Sequence, residues 1–284
     1  MNKNKGDTMG SWANKTVFIT GGSRGIGREI ILRLAREGAN ITIAAKSDQP
    51  NPKLPGTIHS VAQEVREAGG NALPVATDVR DEEQIKRAVQ ATVQQFGGID
   101  LLVNNAGFLG ITQLGITETK KFDLMHALNT RAPLITMREC LPHLQASKGT
   151  VLNLCPPMNL DEGWLGAFIP YTSTKYAMTL LSMGFQQEVK AKGIAVKTLW
   201  PATLIATAAV GMFSGEEGLN VSRKPEIMAD AAFELINQRD RFSSKVSWLD
   251  EEVLRETGIS DFTQYANNPA RANEIQRDFY IGKF

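Results

Sequence analysis

Cysteine is almost absent from the sequence: Cys140 and Cys155 are the only two in 284 residues. Two cysteines with no framework spacing exclude a disulfide-stapled fold and point to a reducing, cytoplasmic compartment. Histidines number three, and no Cys/His cluster has the spacing of metal ligands. A structural or catalytic metal is therefore not expected. No apolar run reaches the roughly 18 residues that a membrane span requires, so membrane insertion is not expected. Met1 to Gly10 lack an apolar stretch and do not read as a secretory signal. Residues 1–12 read as a disordered leader, with Met9 as an alternative start. A net charge of +1 shows no excess of either sign, which leaves no electrostatic basis for a nucleic-acid partner.

Hydrophobic residues are plentiful at 42%, enough for a sizeable core. Thr16–Ile19 is a short β-branched run that reads as a buried parallel strand. It leads into Thr20-Gly21-Gly22-Ser23-Arg24-Gly25-Ile26-Gly27. A helical period follows, with Ile26, Ile30, Ile31 and Leu34 on one face, and Gly38 ends it before a second strand, Ile41–Ala45. Strand, glycine turn, helix and strand make a βαβ unit. The alternation continues with helices over Thr57–Glu67, Asp81–Phe96, Phe122–Leu144, Tyr171–Lys190 and Pro225–Gln238. Further strands are expected at Leu73–Ala76, Ile99–Val103, Thr150–Leu154, Ile194–Leu199 and, at an edge, Lys245–Leu249. The fold class is α/β, a single-domain Rossmann-type doubly wound parallel sheet with helices on both faces. The domain spans residues 13–250, and 251–284 form a C-terminal extension that packs on a neighbour or stays partly disordered.

Glycines at such a turn let the backbone approach a pyrophosphate, and the helix N-terminus offers free N–H groups to the phosphates. The spacing here is Gly-x-x-x-Gly-x-Gly. Asp78-Val79, Asn104-Asn105-Ala106-Gly107 and Asn129 follow in order, and then Tyr171-Thr172-Ser173-Thr174-Lys175. Residues four apart share a helix face, so Tyr171 and Lys175 project together. A nearby ammonium is expected to lower the phenol pKa from its usual value of about 10. In this combination the chain resembles the short-chain dehydrogenase/reductase family over roughly residues 13–250. Ala44-Ala45-Lys46, the loop Gln49-Pro50-Asn51-Pro52-Lys53 and Pro156-Pro157-Met158-Asn159-Leu160 extend the likeness to its hydroxysteroid dehydrogenase-like 2 group.

The resemblance implies a nicotinamide cofactor. Gly21, Gly22, Ser23, Arg24, Gly25, Ile26 and Gly27 form its phosphate turn. Asp78 and Val79 meet the adenine, Asn105, Ala106 and Gly107 border the adenosine side, and Tyr171 and Lys175 reach the nicotinamide ribose. No acidic residue ends the second strand; Lys46 stands there instead. With Arg24 it offers two cations to a 2′-phosphate, so NADP(H) is the expected cofactor. Catalysis falls to Tyr171 as proton donor, Lys175 beside it and Asn129 supporting a water relay. The segment 203–224 is expected to be a mobile substrate lid, or else a plain surface loop.

One family feature is missing. Where a serine polarises the substrate carbonyl, the sequence reads Asn153-Leu154-Cys155-Pro156-Pro157, and thirteen residues before Tyr171 lies Met158. Pro156 has neither a hydroxyl nor an N–H. Cys155 and Asn159 are the nearest candidate replacement donors. The implied function is NADP(H)-dependent hydride transfer to or from a carbonyl or secondary alcohol of an apolar, lipid-like small molecule. The alternative is an NADP-binding protein with little catalysis. A homo-oligomer, dimer or tetramer, is expected through Leu134, Ile135, Met137, Leu180, Leu181 and Phe185.

Overall fold

Val17 and Ile19 alternate with Phe18 along the first strand, and all three are fully buried. Successive strand residues point to opposite faces, so this strand needs a core on both sides. The structure is a computed structural model and describes residues 10–52 and 54–281. Strands Thr16–Thr20 (β1), Asn40–Ala45 (β2), Asn71–Ala76 (β3), Leu101–Asn104 (β4), Thr150–Asn153 (β5), Ala195–Trp200 (β6) and Ser247–Leu249 (β7) form one sheet. Its order is β3-β2-β1-β4-β5-β6-β7, with every neighbouring pair parallel. The helices are Gly25–Ala35 (α1), Ile58–Glu67 (α2), Glu82–Phe96 (α3), Thr119–His126 (α4), Ala132–Ser147 (α5), Glu162–Val189 (α6), Ala208–Asn220 (α7), Glu226–Asn237 (α8) and Asp250–Glu256 (α9).

Val17, Ile19, Ile41 and Ile43 pack with α1, α2 and α8 on one face. Phe18, Leu102, Val151 and Val196 pack with α3, α5 and the end of α6 on the other. Each fully buried side chain of this size contributes roughly 1.5–3 kcal/mol. The doubly wound sheet is as the sequence reads. The strand order reverses between β1 and β4, and ligands bind such sheets at the carboxyl ends beside that switch.

Several boundaries differ from expectation. The single helix expected over Phe122–Leu144 is α4, a π-helical turn at Ala127–Arg131, and α5. Pro133 in the first turn of α5 has no N–H to donate back into α4, and the extra residue of the π turn carries Asn129 into the interior. The catalytic-motif helix starts earlier than Tyr171: Asp161 caps α6 by accepting from Gly163 N at 2.9 Å. It bends at Phe168 (φ −146°, ψ 45°), just before Pro170. The expected loop after Trp200-Pro201 is largely α7, bent at Gly215, whose φ of +62° suits a residue without Cβ.

Of the expected leader, residues 1–9 lie outside the described residues, and Trp12 is buried with its indole donating to Asn237 Oδ1 at 2.7 Å. Lys53 of the proline-rich loop and Phe284 of the tail also lie outside them. The tail folds back on its own chain. Asp278 N donates to Ala202 O at 3.1 Å, Leu204 N to Gln276 O at 3.0 Å and Gln276 N to Val221 O at 2.9 Å. Among the described residues no helix is long and apolar enough to cross a membrane, and no His/Cys/Asp/Glu cluster could hold a metal.

Candidate active site

The glycine turn closes by contact. Gly21 has φ +70°, and a Cβ there would lie 2.8 Å from Ala106 Cα. At Gly27 a Cβ would lie 2.4 Å from Asn105 Nδ2. Asn105 holds that space because its amide donates to Thr20 O at 3.1 Å and Gly21 O at 2.8 Å. The Asn105 and Ala106 N–H groups each donate to Thr20 Oγ1 at 3.2 Å. Gly22 packs against Ile31, Ser23 is buried, and Gly25 opens α1. Helix α2 has a Thr57–Ser60 capping box, and α3 is capped by Asp81. By contrast, α1 has no side-chain cap and no acidic residue in its first turn. Its N–H groups are left for a ligand, and an anion suits them.

The two expected phosphate cations are differently placed. Arg24 Nη2 donates to Ser47 Oγ at 2.8 Å and Gly56 O at 3.0 Å, so the guanidinium ties the 47–56 loop to the turn. Burial lowers its pKa, and it stays charged. Lys46 is exposed and lies 3.4 Å from Asp78. Asp78 is not a free adenine acceptor: Arg80 Nε donates to it at 2.8 Å and Arg80 Nη2 makes a second contact. The Arg80 hydrogen bonds hold this carboxyl well below the usual carboxylate range. Val79 packs into the core beside Ile85 and Val89.

A cavity of about 240 Å³ opens at the carboxyl ends of the central strands. It is lined by Ile26, Asn105 and Gly107 from the nucleotide side and by Tyr171 and Lys175 from α6. Tyr171 and Lys175 therefore share one space with the glycine turn, as the motif implies. Their electrostatics do not match expectation. Burial pushes the Tyr171 phenol well above its usual pKa, and the charges of Tyr280, Asp278 and Cys155 add to the effect. The Lys175 ammonium donates to Leu154 O at 2.8 Å and lies 5.3 Å from the Trp200 ring centre, with no hydrogen bond to the phenol. Burial lowers its pKa to about 8. The expected depression of the tyrosine pKa by lysine is thus absent, because desolvation outweighs a cation that turns to a carbonyl.

Asn129 is fully buried. Its amide donates to Phe108 O and Thr174 Oγ1, both at 3.0 Å, and its oxygen accepts from Phe108 N at 2.9 Å. The side chain clamps the Gly107-Phe108 strip against α6. Neither candidate donor for the missing serine reaches the cavity. Cys155 is fully buried beneath α6, 4.0 Å from Ser182 Oγ, and burial raises its thiol pKa. The Asn159 backbone exchanges hydrogen bonds with Tyr176 Oη, and its amide donates to Tyr280 O at 3.2 Å. Ser173 donates to Pro170 O at 3.0 Å, on another face. His126 stacks edge-on against Phe122 and serves packing.

Sequence reading missed the tail's contribution. Asp278, Phe279 and Tyr280 line the same cavity, opposite α7 residues Val210 and Phe213. Asp278 accepts from Trp200 Nε1 at 2.7 Å and from Tyr280 N at 3.2 Å. Tyr280 packs with Tyr171 and Tyr176, and its hydroxyl is 3.1 Å from Thr172 Oγ1. The available signal was the aromatic pair beside an acid in an otherwise polar tail.

A model of the short chain dehydrogenases matches residues 15–216. The chain belongs to the short-chain dehydrogenase family. It is 47% identical to hydroxysteroid dehydrogenase-like protein 2 of Bos taurus over 96% of its own length and 64% of that relative's. It therefore spans about 64% of that curated relative. A provisionally assigned dehydrogenase from Xanthomonas campestris is 45% identical, with a TM-score of 0.90 over 95% of this chain and 99% of that one. Carveol dehydrogenase from Mycobacterium avium in complex with NAD has a TM-score of 0.73 and 23% identity over 84% of this chain and 97% of its own. A metagenomic short-chain oxidoreductase in complex with NADP has a TM-score of 0.69 and 24% identity, likewise over 84% and 97%. These two show the fold alone.

Proposed function

We propose that the chain is an NADP(H)-dependent oxidoreductase acting on a carbonyl or secondary alcohol of an apolar small molecule. The observation that carries this reading is the shared cavity, in which Tyr171 and Lys175 meet the open end of the glycine turn. The site fits a dinucleotide: Gly21 and Gly27 let the turn close against Ala106 and Asn105, and the first N–H groups of α1 lack a side-chain cap. When bound, the nicotinamide supplies or accepts the hydride. The residues handle the proton. Tyr171, kept protonated by burial, donates to the substrate oxygen in the reductive direction. Lys175, charged below about pH 8, holds the ribose side. Leu204, Val210, Phe213 and Phe279 line the substrate side, which suits an apolar molecule. Helix α7 acts as the lid. Lys46, freed from Asp78, and Arg24 receive the 2′-phosphate.

A second reading is a nucleotide-binding protein with little turnover, favoured by Pro156 at the serine position. NADPH consumption over a panel of apolar ketones and aldehydes separates the two. Turnover no higher than that of Tyr171→Phe supports the second. We also propose a cytoplasmic homo-oligomer. Leu134 on α5 and Leu180 and Met183 on α6 are exposed, whereas Ile135 and Met137 turn into the core and leave that surface. Light scattering at micromolar protein tests it, and a monomer mass rejects it.

A further inference from the structure

The proposed reaction needs a second polar group at the substrate oxygen, and proline, buried cysteine and engaged asparagine cannot supply it. The tail does supply one. Asp278 lines the cavity with Tyr171 and Lys175. Its Oδ1 is fixed by Trp200 Nε1 and Tyr280 N, while Oδ2 has no hydrogen-bond partner among the described residues. No ion pair with a cation is present at this carboxyl among the described residues. The neighbouring Arg277 approaches Glu251 instead. The titratable groups around it are Tyr171 and Lys175 on α6, Asp250 at the start of α9 and Tyr280 beyond it. A carboxyl in a largely apolar pocket with no ion pair to a cation prefers its neutral form. Burial, reinforced by the charge of Asp250, raises its pKa to about 7.

Resting on the oxidoreductase reading, we propose that the protonated Asp278 carboxyl donates a hydrogen bond from Oδ2 to the substrate carbonyl oxygen beside Tyr171. It thus takes the part of the missing serine hydroxyl. A carboxylic acid held neutral in an apolar site so that it can donate is an established device. In the reduction, a bound reduced nicotinamide would supply the hydride to the carbonyl carbon, while the Tyr171 proton goes to the oxygen. The Asp278 hydrogen stays on its carboxyl throughout. Once ionised, Asp278 can no longer donate and repels the negative charge that develops on the oxygen. An anchoring role for the tail alone needs only Oδ1 and would be met equally well by asparagine at any pH.

The test uses acetophenone as the probe and the infrared carbonyl stretch of the bound ketone, measured on the full chain without cofactor. In the wild-type protein at pH 5.5 the stretch should lie below that in Asp278→Leu. The lowering should fade as pH rises through about 7. Asp278→Asn, whose amide donates at every pH, should keep the lowering with no pH dependence. It also carries the test if the leucine variant fails to fold. With NADPH added, Asp278→Leu should lower kcat/KM roughly 10²–10³-fold, the usual effect of removing one oxyanion donor. NADPH binding, read by fluorescence, should be unchanged. A stretch that is identical in wild type and Asp278→Leu, a lowering independent of pH, or no bound ketone at all overturns the proposal. Turnover unaffected by Asp278→Leu also overturns it, while leaving the oxidoreductase reading intact. A stretch that depends on Asp278, in a protein that binds NADPH yet turns over no carbonyl, keeps the proposal and sinks that reading.

Discussion

Each end of the sheet holds a buried lysine, and the two are nearly the same chemically. Lys175 donates to Leu154 O, whereas Lys197 donates to Phe242 O and, at 3.1 Å, to Lys245 O. Burial lowers both to about pKa 8. Lys197 even borders the larger hollow, about 450 Å³ among Gln186, Lys190, Arg239 and Lys245 at the strand starts. What separates them is company. One helical turn from Lys175 stands a phenol, and the cavity they share reaches the uncapped end of α1. Among the described residues, the hydrogen-bond partners of Lys197 are backbone carbonyls only. A shifted lysine records burial, and chemistry requires a second group placed to use it.

That contrast can be broken by substitution. Tyr171→Phe should have the largest effect, about 10²–10⁴-fold in turnover, the usual worth of a positioned proton donor, with NADPH binding retained. Steady-state kinetics and a fluorescence titration check both halves. Lys175→Met should cost roughly 10–100-fold in turnover and also weaken NADPH, since hydrogen bonds to a charged group are worth about 1.5–3 kcal/mol. Lys197→Met should leave both unchanged and alter only thermal stability. If it abolishes turnover in a folded protein, the two ends are not as different as described.

Asp250 and Asp278 sharpen the comparison through pH. Asp250 is fully buried, its Oδ2 has no partner among the described residues, and its pKa is raised to about 6. Asp278 is raised to about 7. Because both folded values exceed the ordinary 3.8, the folded state holds more protons than the unfolded one in between. Their contribution to stability is complete below about pH 3.8 and is lost as pH rises through 6 and 7. Unfolding by denaturant at pH 5 and pH 8 should show this fall, and Asp250→Asn should flatten it.

Ala45→Asp should erode the preference for NADPH over NADH by about tenfold, since a carboxylate there opposes the 2′-phosphate. Paired dissociation constants report it. The smallest effect is expected from Pro156→Ser. Pro156 is buried, its carbonyl accepts from Thr179 Oγ1 at 2.7 Å, and it does not line the cavity. A hydroxyl placed there should leave turnover near the wild-type value, and a clear rise would show that the serine position still faces the substrate.

The nucleotide half was legible because its chemistry is local. Gly21, Gly27, Asn105 and the apolar strand before them are short-range requirements, and spacing alone exposes them. Pairing Tyr171 with Lys175 was legible for the same reason, since one helical turn separates them. The sign of the tyrosine shift was not, because it depends on burial by Tyr280 and Asp278, more than a hundred positions away in sequence. Asp78 shows a similar limit: its pairing with Arg80 is two residues away, yet its competition with Lys46 needs β2 and β3 side by side. The tail's place over the cavity rests on backbone bonds to Ala202, Leu204 and Val221, which no periodicity in residues 261–284 announces.

That tail also sets an order of events. Synthesis runs from the N-terminus, so β1, the glycine turn and α6 leave the ribosome well before Gln276 to Tyr280. The glycine turn and both members of the Tyr171–Lys175 pair are thus synthesised while the wall opposite Tyr171 is still missing. The wall opposite Tyr171 is therefore added after the glycine turn and α6 are in place, and a chain clipped just before Gln276 would lack Asp278, Phe279 and Tyr280 from its cavity.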